Sequence, residues 1–141
     1  MKKTPTSDIL KTLSDINTPF GIVIGNFDGV HLGHLEHLQN FRVECHKSSL
    51  KPIIITFDPH PFLFFHPKKK GFLIDSMSVR IEKLKKAGFS EIIILVFDKY
   101  LQEMDSKTFL NKHILDAKQL RLIYLGHDFK LGKGKENSKE L

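Results

Sequence analysis

The sequence predicts an α/β fold, a Rossmann-like parallel sheet with helices on both faces. Several short apolar runs are rich in Ile and Val and lack strict alternation, which is typical of strands buried on both faces. Helical patterns separate these runs, and a regular alternation of strand and helix favours parallel strands joined by right-handed crossovers. The predicted strands span residues 20–24, 52–57, 92–97 and 120–125.

The predicted helices fill the intervals between the strands and also precede the first of them. They span residues 7–13, 33–45, 76–87 and 106–115. Ser76 and Ser106 are suited to cap the third and fourth of these helices, because a serine hydroxyl can accept a hydrogen bond from a free backbone N–H. Gly88 ends the third helix, since glycine readily adopts the left-handed conformation beyond a helix terminus.

The size and composition predict one cytoplasmic domain. The chain has 141 residues, of which 40% are hydrophobic, and this is enough for one packed core. Its net charge of +6 is spread along the sequence, which suits anionic small molecules, and we expect no nucleic-acid partner. Cys45 is the only cysteine, and no apolar run approaches the length that spans a membrane, so we expect no disulfide and no membrane partner. The oligomeric state cannot be read from these features.

The segment between the first predicted strand and the next helix is the most informative part of the chain. Residues 25–34 read GNFDGVHLGH, with a glycine at each point where the backbone must turn or approach a ligand closely. Free N–H groups and the positive end of the helix dipole favour an anion where the helix begins. His31 and His34 can donate hydrogen bonds to phosphate oxygens. The segment therefore predicts a site for a nucleotide polyphosphate.

Other chemistries for this segment are less well supported by the sequence. His31, His34 and His37 could hold a metal ion, but no cysteine or carboxylate cluster completes a ligand set at a known spacing. The glycine patterns of the dinucleotide-binding fingerprint and of the P-loop are both missing. The sequence GKG at residues 132–134 is only a fragment of a P-loop.

Two further unusual loops follow predicted strand ends. Residues 58–67 read DPHPFLFFHP, and residues 126–134 read GHDFKLGKG. Prolines restrict the first of these loops, and its phenylalanines could either pack on the core or stack on an aromatic ligand. Asp128 could bind a hydroxyl, a ring nitrogen or hydrated magnesium, or could cap a turn. Because ligands of parallel sheets bind beyond the carboxyl ends of the strands, the three loops predict one shared site.

These three motifs, in this order, resemble the adenylyltransferase domain of bacterial FAD synthetases, the bifunctional riboflavin kinase/FMN adenylyltransferase family. The first motif is also that of the wider nucleotidyltransferase superfamily with a His-x-Gly-His loop. The second and third motifs narrow the resemblance to the flavin enzymes. It implies that the protein transfers AMP from ATP to FMN, giving FAD and pyrophosphate, with Mg²⁺ accompanying ATP and FMN as a substrate.

The resemblance also implies roles for individual residues. The catalytic group would comprise His31, His34 and Asn26. ATP would be bound by Gly25, Asn26, Phe27, Asp28, Gly29, His31, Gly33, His34, Gly126 and Asp128. FMN would be bound by Pro59, His60, Pro61, Phe65, Asp128 and Phe129. Asp28 would be the metal ligand.

The chain departs from the family pattern at its C-terminal end. Leu131 stands where the family usually has a second aromatic residue, and the Ser-Ser/Thr-x-x-Arg segment that binds ATP phosphates is not found in these residues. We therefore expect residues 1–141 to be an FMN adenylyltransferase domain that is incomplete at its C-terminal end and lacks a riboflavin kinase domain. We also expect slow turnover. Two alternatives remain open: a non-catalytic module that binds nucleotide or flavin, and a transferase for another phosphorylated acceptor.

Overall fold

Among the residues that the structure describes, five strands form one sheet in which every pair of neighbouring strands is parallel. The computed structural model describes residues 3–27, 32–59 and 76–126. The strand order is β1-β4-β3-β2-β5. The strands are β1 (Lys3–Thr4), β2 (Phe20–Ile24), β3 (Lys51–Asp58), β4 (Ile92–Val96) and β5 (Leu120–Leu125). The predicted parallel α/β fold is confirmed.

Five α-helices and one π-helix connect the strands in the described part of the chain. They are α1 (Thr6–Ser14), α2 (Leu32–Lys47), α3 (Met77–Lys86), α4 (Lys99–Gln102), α5 (Ser106–Phe109) and the π-helix Leu110–Ile114, which directly follows α5. The predicted helix over 106–115 is therefore part α-helix and part π-helix. The two-residue β1 and the four-residue α4 were not predicted, because segments so short carry no periodicity.

The helix caps agree with the prediction in one case and differ in the other. Ser76 caps α3, since its Oγ accepts a hydrogen bond from the Val79 N–H at 3.3 Å. The prediction for Ser106 was wrong: Asp105 caps α5 and accepts from the Thr108 N–H at 2.7 Å. A carboxylate in this position also interacts favourably with the positive end of the helix dipole.

The sheet separates two apolar cores, so helices do cover both of its faces. Successive side chains of β2 point to opposite sides, with Ile22 and Ile24 in one core and Val23 in the other. The first core contains residues of α1, α5 and the π-helix, among them Ile9, Leu13, Phe109 and Ile114. The second contains residues of α2 and α3, among them Leu38, Phe41 and Leu84.

Burial of the strands follows their position in the sheet. β2 is buried throughout, whereas β5 has an exposed Arg121 and otherwise half-buried residues. The prediction that all strands are buried on both faces was therefore wrong for β5. The reason is that β5 pairs only with β2 among the described strands, so it has a neighbour on one side alone.

Gly21 leaves room for the Cys45 side chain of α2 to pack closely on β2. A Cβ atom at this position would lie 3.0 Å from Cys45 Sγ and 3.2 Å from Leu122 Cβ. We expect Gly21→Ala to lower the free energy of unfolding by roughly 1–3 kcal/mol, because overpacking forces neighbouring side chains from their preferred positions. Urea titration measures this loss. The double variant Gly21→Ala/Cys45→Ala should regain part of the lost stability. An unchanged free energy of unfolding in Gly21→Ala would contradict the close packing of Gly21 against Cys45.

Cys45 is a buried free thiol, and we expect it to react slowly. Burial, and secondarily the nearby Glu44 carboxylate, raise the pKa of Cys45 from 9.0 to about 11. The thiolate is the reactive form, so we expect a disulfide reagent at about pH 8 to modify Cys45 only as fast as the protein unfolds. Rapid modification of the folded protein would contradict the burial of this thiol.

The raised pKa of Cys45 also makes the stability of the protein depend on pH. Because the pKa is higher in the folded protein than in the unfolded chain, the contribution of Cys45 to the free energy of unfolding falls as the pH rises from about 9 through about 11.

Candidate functional site

The three loops singled out in the sequence begin side by side at the carboxyl edge of the sheet. They follow β3, β2 and β5, which are neighbours in the strand order. The Gly25 N–H donates to the Ile55 carbonyl at 3.1 Å, and the Gly126 N–H donates to the Ile24 carbonyl at 2.8 Å. The three loops were predicted to converge at one edge of the sheet. This is confirmed for their first residues, which directly follow the strand ends.

The turn after β2 is tightly packed on itself. A Cβ atom on Gly25 would lie 2.8 Å from Cζ of the Phe27 ring, so only glycine fits beneath that ring. Phe27 is buried and has a φ of 52°, a left-handed conformation that a bulky residue seldom adopts. This geometry lets the backbone at Gly25 pass directly below an aromatic cover.

Asn26 lies within this turn and is largely buried, with 6% of its surface exposed. Its backbone carbonyl accepts a hydrogen bond from Thr56 Oγ1 at 3.2 Å. Its side-chain Oδ1 is buried and has no hydrogen-bond partner among the described residues. Because a buried polar atom without a partner is costly, this oxygen is available to a ligand group or an ion at the sheet edge.

Helix α2 starts at the same edge. It begins at Leu32, one residue before the predicted start, so Gly33 and His34 lie in its first turn. No acidic residue occupies that turn, which leaves the positive end of the helix dipole without a carboxylate from the helix itself. The half-buried His34 ring lies edge-on to the Phe27 ring, with their centroids 5.9 Å apart. The turn and the helix start therefore form one packed unit.

Beyond His34, side chains of α2 pack against β5. The His37 ring lies 5.4 Å from the Tyr124 ring, and the Tyr124 hydroxyl donates to Glu44 Oε1. This hydrogen bond, with a smaller effect of burial, raises the pKa of Tyr124 to about 12. The contacts hold α2 against the strand whose end carries Gly126, so they support the relative placement of the first and third loops.

Only the start of the second loop lies among the described residues. A cis peptide bond joins Asp58 to the half-buried Pro59, and Asp58 forms an ion pair with Lys3, the first residue of β1. Several predicted site residues lie outside the described ranges, and their placement stays a prediction. They are Asp28, Gly29, His31, His60, Pro61, Phe65, Asp128 and Phe129, together with Phe62 and Phe64.

Arg80 is a residue at this edge that sequence reasoning missed. It is 1% exposed, and its Nη1 donates to the Asn26 carbonyl at 2.6 Å. The arginine that the family pattern calls for lies in a phosphate-binding segment, and Arg80 has no such sequence context. The sequence did contain a signal for Arg80. Leu84 and Ala87 follow it by four and seven residues, so the three side chains lie on the same face of a helix. A charged residue on an apolar face indicates a specific partner.

The described residues also bear on the predictions about metal and membrane. Within residues 3–27, 32–59 and 76–126, no group of three or more His, Cys, Asp or Glu side chains could hold a metal ion. The predicted metal ligand Asp28 lies outside these ranges. In the same part of the chain, no helix has both the length and the apolar character needed to cross a bilayer.

Comparison with known proteins gives consistent results. The bifunctional riboflavin kinase/FMN adenylyltransferase of Buchnera aphidicola (Acyrthosiphon pisum, strain APS) is 28% identical over 123 residues, which are 87% of this chain and 39% of that protein. The protein of the same name from Escherichia coli K12 is 27% identical over 115 residues, or 82% of this chain and 37% of that protein. The chain thus spans well under half the length of these relatives.

A solved structure and a family profile complete the comparison. The crystal structure titled macrolide-efflux protein from Streptococcus pneumoniae superposes with a TM-score of 0.76, covering 99% of this chain and 46% of that one. At 23% identity, this likeness supports the fold alone. The sequence profile described as FAD synthetase matches residues 14–141, which is most of the chain. The chain therefore belongs to the FAD synthetase family.

Proposed function

We propose that this chain transfers AMP from ATP to FMN, giving FAD and pyrophosphate. The observation that carries the proposal is that the three family motifs leave the carboxyl ends of three adjacent strands. This edge is where parallel sheets bind nucleotides. The names of the relatives support the same reaction. We further propose that the protein works in the cytoplasm, as its single, free cysteine permits, and has no nucleic-acid partner.

The reaction needs alignment and charge stabilisation more than a strong base. A phosphate oxygen of FMN is already anionic at neutral pH and attacks the α-phosphorus of ATP. The bond from this phosphorus to the bridging oxygen of the β-phosphate breaks, and pyrophosphate leaves with the electron pair. No side chain need become a nucleophile, so the transfer is direct. Hydrogen-bond donors that face the phosphates then lower the barrier most.

The residues after β2 suit the nucleotide. In this proposal His31 and His34 donate to the triphosphate, beside the N–H groups of the first turn of α2, and the glycines let the backbone approach it. ATP arrives as its magnesium complex, and the Asn26 Oδ1 and Asp28 carboxylate oxygens are of the kind that Mg²⁺ accepts. The nucleotide site comprises Gly25, Asn26, Phe27, Asp28, Gly29, His31, Gly33, His34, Gly126 and Asp128.

The loop after β3 suits the flavin. FMN carries a flat, largely apolar ring system, which aromatic and proline side chains can cover. In this proposal Phe65 and Phe129 flank the ring, and Asp128 lies between the flavin and the nucleotide. Pro59, His60 and Pro61 complete the flavin site. Since β3 and β5 lie on either side of β2, a flavin held by their loops would reach the nucleotide from both sides.

The direct test is chromatography of FAD formed from FMN and Mg·ATP by the purified chain. FAD should accumulate only when both substrates are present, and faster than with the His34→Ala variant. Phosphopantetheine and glycerol 3-phosphate serve as competing acceptors. Binding of ATP and FMN without any FAD would contradict the proposal and indicate a non-catalytic module. Adenylylation or cytidylylation of another acceptor in preference to FMN would indicate a different transferase.

A further inference from the structure

Arg80 is a buried cation whose position calls for a specific explanation. Among the described residues it is the one charged side chain classed as buried, and it is 1% exposed. Removing a guanidinium from water is costly, and an apolar residue of similar volume often stabilises a protein as well or better. Core packing alone therefore does not explain an arginine on the inner face of α3.

Arg80 and Thr56 both donate to one backbone carbonyl, that of Asn26. Its Nη1 donates to the Asn26 carbonyl at 2.6 Å and to Thr56 Oγ1 at 3.3 Å. Thr56, fully buried on β3, donates to the same carbonyl at 3.2 Å. Hydrogen bonds from an ionised donor are shorter and stronger than neutral ones, so the guanidinium is the dominant of the two donors. Residues of α3 and β3 thus fix the direction of a single peptide group.

That peptide group precedes the strained turn of the site. It joins Asn26 to Phe27, whose φ of 52° is set by how this peptide plane is oriented. The Phe27 ring in turn covers Gly25 and lies edge-on to the His34 ring, 5.9 Å between centroids. A rotation of the Asn26 carbonyl would therefore move the ring that contacts His34.

We propose that Arg80 is a positioning residue for His34, acting through the Asn26 carbonyl and Phe27. The catalytic part of this inference rests on the proposed adenylyl transfer, whereas the structural part does not. In this role Arg80 acts through protein acceptors, the Asn26 carbonyl and Thr56 Oγ1, and not by binding phosphate itself. Its role is to hold the turn after β2 in the conformation that presents His34 to the nucleotide.

The test compares three substitutions in the chain without substrate and during turnover. Arg80→Met removes the donor, Arg80→Lys keeps a cation with donors, and Arg121→Met is the matched control at an exposed arginine near the amino end of β5. The imidazole NMR signals of His34, assigned with His34→Ala, should shift in Arg80→Met. Arg80→Lys should shift them less, because a lysine ammonium can still donate to the Asn26 carbonyl. Arg121→Met should leave them unchanged.

In turnover, Arg80→Met should lower kcat by about tenfold to a hundredfold, the range for a misplaced catalytic group, with a smaller change in KM for ATP. Arg80→Lys should recover part of the rate. Unchanged His34 signals in folded Arg80→Met would overturn the inference, as would equal rate losses in Arg80→Met and Arg121→Met. Shifted His34 signals with no FAD from the wild-type chain would contradict the proposed function and support the positioning role.

Thr56→Val provides a second variant that keeps the buried charge: it removes the Thr56 donor to the Asn26 carbonyl and the Thr56 acceptor for Arg80 Nη1. We expect it to shift the His34 signals in the same direction as Arg80→Met, by a smaller amount. The two substitutions share one acceptor, so their effects in the double variant should be non-additive. If Arg80→Met does not fold, Thr56→Val carries the test, and unchanged His34 signals in that variant would overturn the inference.

Discussion

Replacing His34 with Ala is expected to slow FAD formation by roughly tenfold to a thousandfold, the range for a lost donor that stabilises developing negative charge. His34 lies in the first turn of α2 at the carboxyl edge of the sheet, where the helix dipole also favours an anion. His31 precedes this turn, and His31→Ala should have an effect in the same range. The measurement is kcat for FAD formation with saturating Mg·ATP.

The matched control for this prediction is His46→Ala, at an exposed histidine in the last turn of the same helix. This variant removes an identical side chain from α2 but lies at its opposite end, so its rate should equal that of the wild type. Wild-type rates in both His31→Ala and His34→Ala would refute the assignment of phosphate contacts. An equal loss of kcat in all three variants would indicate that the substitutions act by destabilising the helix and not by removing contacts with the nucleotide.

Gly25→Ala is expected to lower kcat/KM for ATP about a hundredfold, because a displacement of about 1 Å in a catalytic geometry has an effect of that size. The new methyl group would lie 2.8 Å from Cζ of the buried Phe27 ring, so the ring or the strand end must move. Either movement disturbs the ring contact with His34 and the backbone approach to the triphosphate.

Gly21→Ala is the steric control for Gly25→Ala. It inserts the same methyl group into the same strand, also against a close neighbour, but near the amino end of β2. We expect it to lose stability while keeping its kcat/KM under conditions where it is fully folded. A Gly25→Ala variant with wild-type kcat/KM would show that the close packing beneath Phe27 has no part in nucleotide binding.

The sequence predicted the elements that have strong local patterns. The boundaries of β2 and β5 agree with the prediction, because compact apolar runs determine these strands. Those of β3 differ by one residue at each end, and that of β4 differs by one residue at its C-terminal end. The same reasoning failed for β1. That strand has two residues, and its pairing with β4 depends on contacts across the chain that no local pattern encodes.

The candidate site was predictable where it depends on motifs and unpredictable where it depends on tertiary contacts. Glycines and histidines in residues 25–34 predicted the turn and the helix start. The shared partner of Arg80 and Thr56 could not be deduced, because these residues are distant from Asn26 in sequence and reach its carbonyl only through the packing of α3 and β3 beside β2. The left-handed conformation of Phe27 likewise depends on packing, since the sequence around it favours no such angle at a phenylalanine.

Hydrogen exchange of the chain with and without ligands tests most directly whether ATP and FMN share the carboxyl edge of the sheet. We predict that saturating Mg·ATP protects peptides covering residues 20–34, and that FMN protects peptides covering residues 57–66. Peptides covering residues 43–52, at the C-terminal end of α2 and the start of β3, should exchange at the same rate in every sample. Protection confined to residues 43–52, or equal protection of one region by both ligands, would contradict the account.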